Sequence, residues 1–152
     1  MSMLTLLNNF DQLKKLKIGS SKYFTWGEAL YLKQVNSYAL PSIPQISEIE
    51  KIAVKLDAIR DHFNTPVIVT SWLRPDNYNK LIGGAMFSHH RTGAAVDFMV
   101  MGLSSDFVRS ELRKHPEVLQ GLSVEMGTVH VHIQNDGKGM FFDPPPAKKA
   151  LI

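Results

Sequence analysis

The sequence predicts an α+β domain, with helices packed on an antiparallel sheet. Three observations carry that prediction. Ile49, Ile52, Ala53, Leu56, Ile59 and Phe63 recur at helical spacing and give one apolar stripe. Val67-Ile68-Val69 is a short β-branched run between Pro66 and Ser71, the pattern of a buried strand. Thr128-Val129-His130-Val131-His132-Ile133 alternates polar and apolar residues, the period of a half-buried strand.

The remaining elements follow in chain order. A short helix is expected around Phe10 to Leu16, with Lys14, Lys15 and Lys17 exposed. Thr25-Trp26-Gly27-Glu28 has capping-box spacing and starts a helix running through Ala29, Leu30 and Leu32. Tyr38 to Pro44 contains two prolines and reads as a connector. Ser47-Glu48-Ile49-Glu50 reads as a second capping box, opening the long amphipathic helix that lies on the sheet. Arg74 to Thr92 is expected to be a long loop, and loops of that length in a compact domain are commonly functional. Ala94 to Val100 is strand-like. Ser104 or Ser105 starts a helix that ends near His115-Pro116. Leu122 to Glu125 and Thr128 to Gln134 are expected to form a hairpin about Met126-Gly127, and Asp143-Pro144-Pro145-Pro146 opens an extended tail.

Length and composition fit one domain. The chain has 152 residues, with a core expected over about 22–136, an N-terminal segment and a proline-rich tail. There are no repeats. The formal charge of +3 and pI near 9.2 are mildly basic. No basic stripe is interleaved with aromatics, so nucleic-acid binding is not expected. The apolar start, Met1 to Leu7, is interrupted by Asn8, Asn9 and Asp11; neither a signal peptide nor a membrane segment is expected. Composition leaves the oligomeric state open. With no cysteine, disulfides and thiolate metal sites are excluded.

The chemistry concentrates in two stretches, Ser88 to Asp97 and Val129 to His132. Two imidazoles and a carboxylate brought together make a three-ligand zinc site, whose open position is the mark of a catalytic metal. Strand alternation would put His130 and His132 side by side on one face, with Val129, Val131 and Ile133 on the other. One imidazole can then bind metal while its neighbour faces the water. Gly93 permits backbone conformations closed to other residues, so the chain can turn and return His90 toward Asp97. His62 and His115 read as ordinary surface or satisfied core histidines. His89 reads as loop surface or as a residue behind the metal shell.

Ser-x-His-x-x-Gly-x-Ala-x-Asp is met by Ser88, His90, Gly93, Ala95 and Asp97, and His-x-His by His130 and His132. Upstream, Ser71-Trp72-Leu73-Arg74 meets Ser-x-x-Arg, and Tyr78-Asn79 with Gly83-Gly84 looks like the linker that follows it. In this order the motifs resemble peptidase family M15, the zinc D-Ala-D-Ala carboxypeptidases and L,D-endopeptidases, which include phage endolysins. That family shares its fold with the zinc-bearing hedgehog domain. The resemblance covers about Ser47 to Ile133, and Tyr23 to Glu28 looks like an N-terminal element of its phage and bacterial members.

The resemblance implies zinc on His90, Asp97 and His132. It gives His130 the role of proton handling or transition-state stabilisation, and Arg74 that of polarising the substrate or binding its carboxylate. Ser88 matches a motif position beside the substrate, although its hydroxyl could equally cap a turn. Some members carry a glutamate base three residues before the last zinc histidine; here Val129 stands there, and the nearest carboxylate is Glu125. The base is therefore Glu125 or His130. The implied partner is the peptidoglycan stem peptide, cleaved by a D,D-carboxypeptidase or an L,D- or D,D-endopeptidase. Such a protein would stay in the cytoplasm until released, or travel in a virion. The competing reading is a non-catalytic zinc-containing binding module of hedgehog type.

Overall fold

A computed structural model describes residues 9–144. The tail prolines Pro145 and Pro146 and the first eight residues lie outside the described part. The chain opens with helix α1 (Phe10–Leu13), then α2 (Trp26–Leu30) and a small hairpin, β1 (Tyr31–Leu32) with β2 (Ser37–Tyr38). Helix α3 (Ile43–Phe63) leads to β3 (Val67–Ser71), α4 (Asp76–Leu81) and a 3-10 turn at His89–Thr92. Strand β4 (Ala95–Val100), α5 (Ser105–Lys114), a 3-10 turn (Pro116–Leu119), β5 (Ser123–Glu125), β6 (Val131–Gln134) and β7 (Phe141–Phe142) complete it. The α+β class with packed helices is as the sequence predicts.

The main sheet runs β3-β4-β6-β5-β7. All neighbours are antiparallel except β5 and β7, which are parallel. Directly paired residues share a face, and side chains alternate along each strand. Val96, Phe98, Val124, Val131 and Ile133 therefore point to one side, where they join Ile49, Ile52, Leu56 and Ile59 of α3 in a single buried cluster. The other side carries the polar row. Ser71 pairs Asp97, Asp97 pairs His132, His132 pairs Glu125, and Glu125 pairs Phe142. One register line thus crosses all five strands and brings Asp97 of the first motif stretch beside His132 of the second.

Four elements depart from expectation. The long helix begins one turn earlier than Ser47. Ser42 is its cap, Ser42 and Gln45 form the capping box, and Pro44 sits in the first turn, where its missing N–H costs nothing. The prolines that read as connector are thus a helix start. Helix α2 stops at Leu30, because the Leu30 carbonyl is taken by the Ala39 N–H of the β2 side and Leu32 enters β1. Strand β3 lies at the sheet edge and not in its interior, which leaves Ile68 39% exposed. The segment 74–92 is not one loop but holds α4 and the 3-10 turn.

Candidate metal centre

His90 is positioned by backbone before anything else. Ser88 caps the 3-10 turn, its hydroxyl accepting from the His90 N–H at 3.2 Å, so capping is the role the structure displays for this residue. Gly93 ends the turn at φ +81°, and a Cβ there would meet Ile49 Cγ1 at 2.8 Å and Gln45 O at 3.4 Å. Only glycine fits both the left-handed conformation and the close approach of α3. Trp72, fully buried, clamps the turn from the β3 side. Its indole donates to Gly93 O at 3.0 Å, and the Arg74 N–H donates to His90 O at 2.9 Å.

The Trp72 carbonyl then sets the chemistry of His90. Nδ1 lies 2.7 Å from that oxygen. A carbonyl only accepts, so Nδ1 carries the proton and Nε2 presents a bare lone pair. His90 is 2% exposed, and its Nε2 has no hydrogen-bond partner among the described residues. It faces Asp97 Oδ2 at 3.2 Å.

A second chain of bonds does the same for His132. Ser123 Oγ donates to Asp136 Oδ1 at 2.7 Å, and the Lys138 N–H donates to the same oxygen at 2.9 Å. Gln134 Nε2 donates to Asp136 Oδ2 at 2.8 Å, which turns the Gln134 oxygen toward His132 Nε2, also at 2.8 Å. Nε2 must therefore donate, and Nδ1 is the nitrogen turned to Asp97 Oδ1 at 2.7 Å. Two imidazole nitrogens thus converge on the two oxygens of one carboxylate.

The electrostatics follow from this crowding. Burial pushes the Asp97 carboxyl up, but the imidazoles of His132 and His90 that face its two oxygens hold it far below the usual carboxylate range. Burial lowers His90 and outweighs the attraction of Asp97, so its imidazole is held neutral, the form that ligates. Burial also works against the charged form of His132, but Asp97, Gln134 and the charge of Glu125 more than offset it and raise the group.

Arg74 packs onto the same carboxylate. Its Nη2 donates to Asp97 Oδ2 at 3.0 Å and its Nε to Ser71 Oγ at 2.9 Å. The register between β3 and β4 shifts between Val69 and Ser71, a bulge that brings Ser71 opposite Asp97. Glu125 is 5% exposed and stands directly across from His132 on the same face.

His130 breaks the expected alternation. Strand β6 starts only at Val131, and Val129, expected on the core face, is 86% exposed. The cause is α5. Arg109, buried, donates to the Thr128 carbonyl at 2.9 Å and the His130 carbonyl at 3.4 Å, while Ser105 Oγ donates to the Val129 carbonyl at 2.7 Å. These carbonyls are spent on side chains and not on a strand ladder. Strand alternation therefore places His132 on the polar face but does not govern His130, which precedes the strand.

His90, Asp97 and His132 form a group that could hold a metal ion, their donor atoms all within 4.8 Å of one another. The fit is specific. Outer partners orient each ring, as they do around metal sites generally, so that one nitrogen of each is turned to the carboxylate. Sequence reasoning missed Trp72 and its carbonyl, Gln134 and Asp136. Gln134 could have been found, since it lies two residues from His132 on the same strand face.

The sequence model of a family described as Peptidase M15 matches residues 23–134. No curated protein matches the chain.

Proposed function

Because the chain belongs to the peptidase M15 family, and is thus a metallopeptidase by descent, we propose that it holds one zinc on His90, Asp97 and His132 and hydrolyses peptide bonds in the stem peptides of bacterial peptidoglycan. The observation that supports this most is the convergence of two tautomer-fixed imidazoles on both oxygens of Asp97. A bound zinc supplies Lewis-acid polarisation of the scissile carbonyl and a water acidic enough to be the nucleophile near neutral pH.

The chain's own residues do the rest. Glu125, buried across from His132, accepts the proton of the attacking water and returns it to the leaving amine. His130 stands beside the centre in sequence and is the competing acceptor. Arg74 holds Asp97 in place. A guanidinium carries five donors, more than its bonds to Asp97 and Ser71 use, and it also engages a carboxylate of the substrate. Ser88 acts through the turn that aims His90 and lines the substrate side of it.

Stem peptides suit such a centre because they carry free carboxylates that an arginine can hold. The protein reaches the wall as a lytic enzyme of a phage or bacterium, released from the cytoplasm or carried in a virion. Among the described residues no helix is long and apolar enough to cross a membrane. The test is digestion of purified peptidoglycan by the zinc-loaded protein, with released ends identified by mass spectrometry. New amino and carboxyl termini within the stem peptide are expected, and their positions separate a carboxypeptidase from an endopeptidase. A full zinc complement with no release from several wall chemistries would refute hydrolysis and leave the hedgehog-type binding module.

A further inference from the structure

We propose a second metal site, at the surface, formed by His62, Glu111 and His115 and suited to zinc or another divalent transition metal. It is separate from the Asp97 centre and does not depend on the reading of that centre. The three residues come from two helices far apart in sequence. His62 lies in the last turn of α3, Glu111 in the last turn of α5, and His115 is the residue that caps α5. Their donor atoms all lie within 4.8 Å of one another.

The distances favour a shared ion over a pair of simple hydrogen bonds. His115 Nε2 is 3.3 Å and His62 Nε2 is 3.6 Å from the same oxygen, Glu111 Oε1. Both exceed the usual length of a charge-assisted N–H···O bond. Zinc bonds of about 2.0–2.1 Å at tetrahedral angles place ligand atoms roughly 3.3–3.4 Å apart, which is close to what is found here. The other ring nitrogen of His115, Nδ1, faces Glu117 Oε1 at 3.5 Å. At that distance Glu117 is an ion-pair neighbour and not a hydrogen-bonded support, but its position shows that Nδ1 points away from Glu111 and leaves Nε2 as the nitrogen turned to the cluster. His62 is held edge-on to Phe63, with ring centroids 5.2 Å apart and planes at 89°.

The surroundings favour a cation. Helices α3 and α5 both end here, and helix C-termini carry partial negative charge. Two imidazoles and one carboxylate select zinc, nickel or copper over calcium or magnesium, which prefer all-oxygen shells. The side chains are partly exposed, so an ion can enter and water can complete its coordination. Such a clip would tie the end of α3 to α5 and its 3-10 extension, joining the long helix to the segment that leads into β5.

The experiment uses the full chain and zinc alone. Protein loaded with zinc is desalted, which retains the buried equivalent, and is then titrated with further zinc by calorimetry and by metal analysis after equilibrium dialysis. The wild type should take up a second equivalent and gain thermal stability as it does so. The H62A/H115A variant should keep the first equivalent and lose both the second and the added stability. Asp97→Asn, which removes a ligand of the buried centre, should still bind one equivalent, and that equivalent should vanish when H62A is added. A desalted wild type that takes up no further equivalent at zinc concentrations up to about a millimolar, or a double variant that still binds the titratable equivalent, would overturn the site. Failure of the Asp97 centre alone would show as loss of the desalting-resistant zinc with the titratable equivalent intact.

Discussion

At the scale of single residues, the centre depends on which nitrogen of each histidine is turned to Asp97. Trp72 O fixes His90, and the Asp136–Gln134 chain fixes His132. Gln134→Leu removes the acceptor for His132 Nε2 while Asp136 keeps its bonds from Ser123 and Lys138. Zinc affinity, read by competition with a chromophoric chelator, should fall about ten- to a hundredfold, the usual effect of losing an outer-shell partner. Unchanged affinity would mean that the bond does not orient the ring. The proton acceptor is decided by a pair of variants. Glu125→Gln keeps shape but removes basicity, so it should hold zinc normally and cleave at least about a hundredfold more slowly. His130→Ala should then lose less. Normal turnover in Glu125→Gln, with the loss falling on His130→Ala instead, would transfer the role to His130. His90, Asp97 and His132 were nameable from the sequence because the resemblance to the family places each of them at a position of a short motif. The Trp72 carbonyl could not, because it is backbone, and backbone partners leave no mark in residue identity.

At the scale of elements, spacing foretold the apolar stripe of α3 but not its start. Ser47-Glu48-Ile49-Glu50 and Ser42 to Gln45 both carry capping-box spacing, and only the second lies at an end that Pro44 can begin. The hairpin carrying His132 was legible as a pairing of β5 with β6. Its irregular arm was not, because the residue that bends it, Arg109, lies on a different element about twenty positions earlier and is buried only through tertiary contact. Arg109→Leu tests that tie. It keeps apolar bulk but abandons the Thr128 and His130 carbonyls. Zinc content should stay at wild-type level while amide exchange across 128–130 rises, and stability should drop by about 1–3 kcal/mol. Unaltered exchange would show that Ser105 and the strand ends suffice to shape the segment.

At the scale of the molecule, the sheet separates two tasks. One face is a continuous apolar core under α3, and the other carries a polar row, Ser71, Asp97, His132 and Glu125, in register across four strands. The fold class was readable from periodicity alone, since each face repeats every second residue. The row was not, because register depends on the bulge in β3 and on which strands become neighbours. Rigid strands on which Asp97, His132 and Glu125 face one another suit a centre that must hold its geometry through a reaction. The most direct test of that claim is zinc-dependent hydrolysis followed in parallel with zinc content. Chelator-stripped protein should release no peptide fragments from murein, and one equivalent of zinc should restore release. Asp97→Asn should lose both the desalting-resistant zinc and the hydrolysis. Stripped protein that cleaves as fast as loaded protein, or an Asp97→Asn variant that keeps both its tight zinc and its activity, would contradict the account.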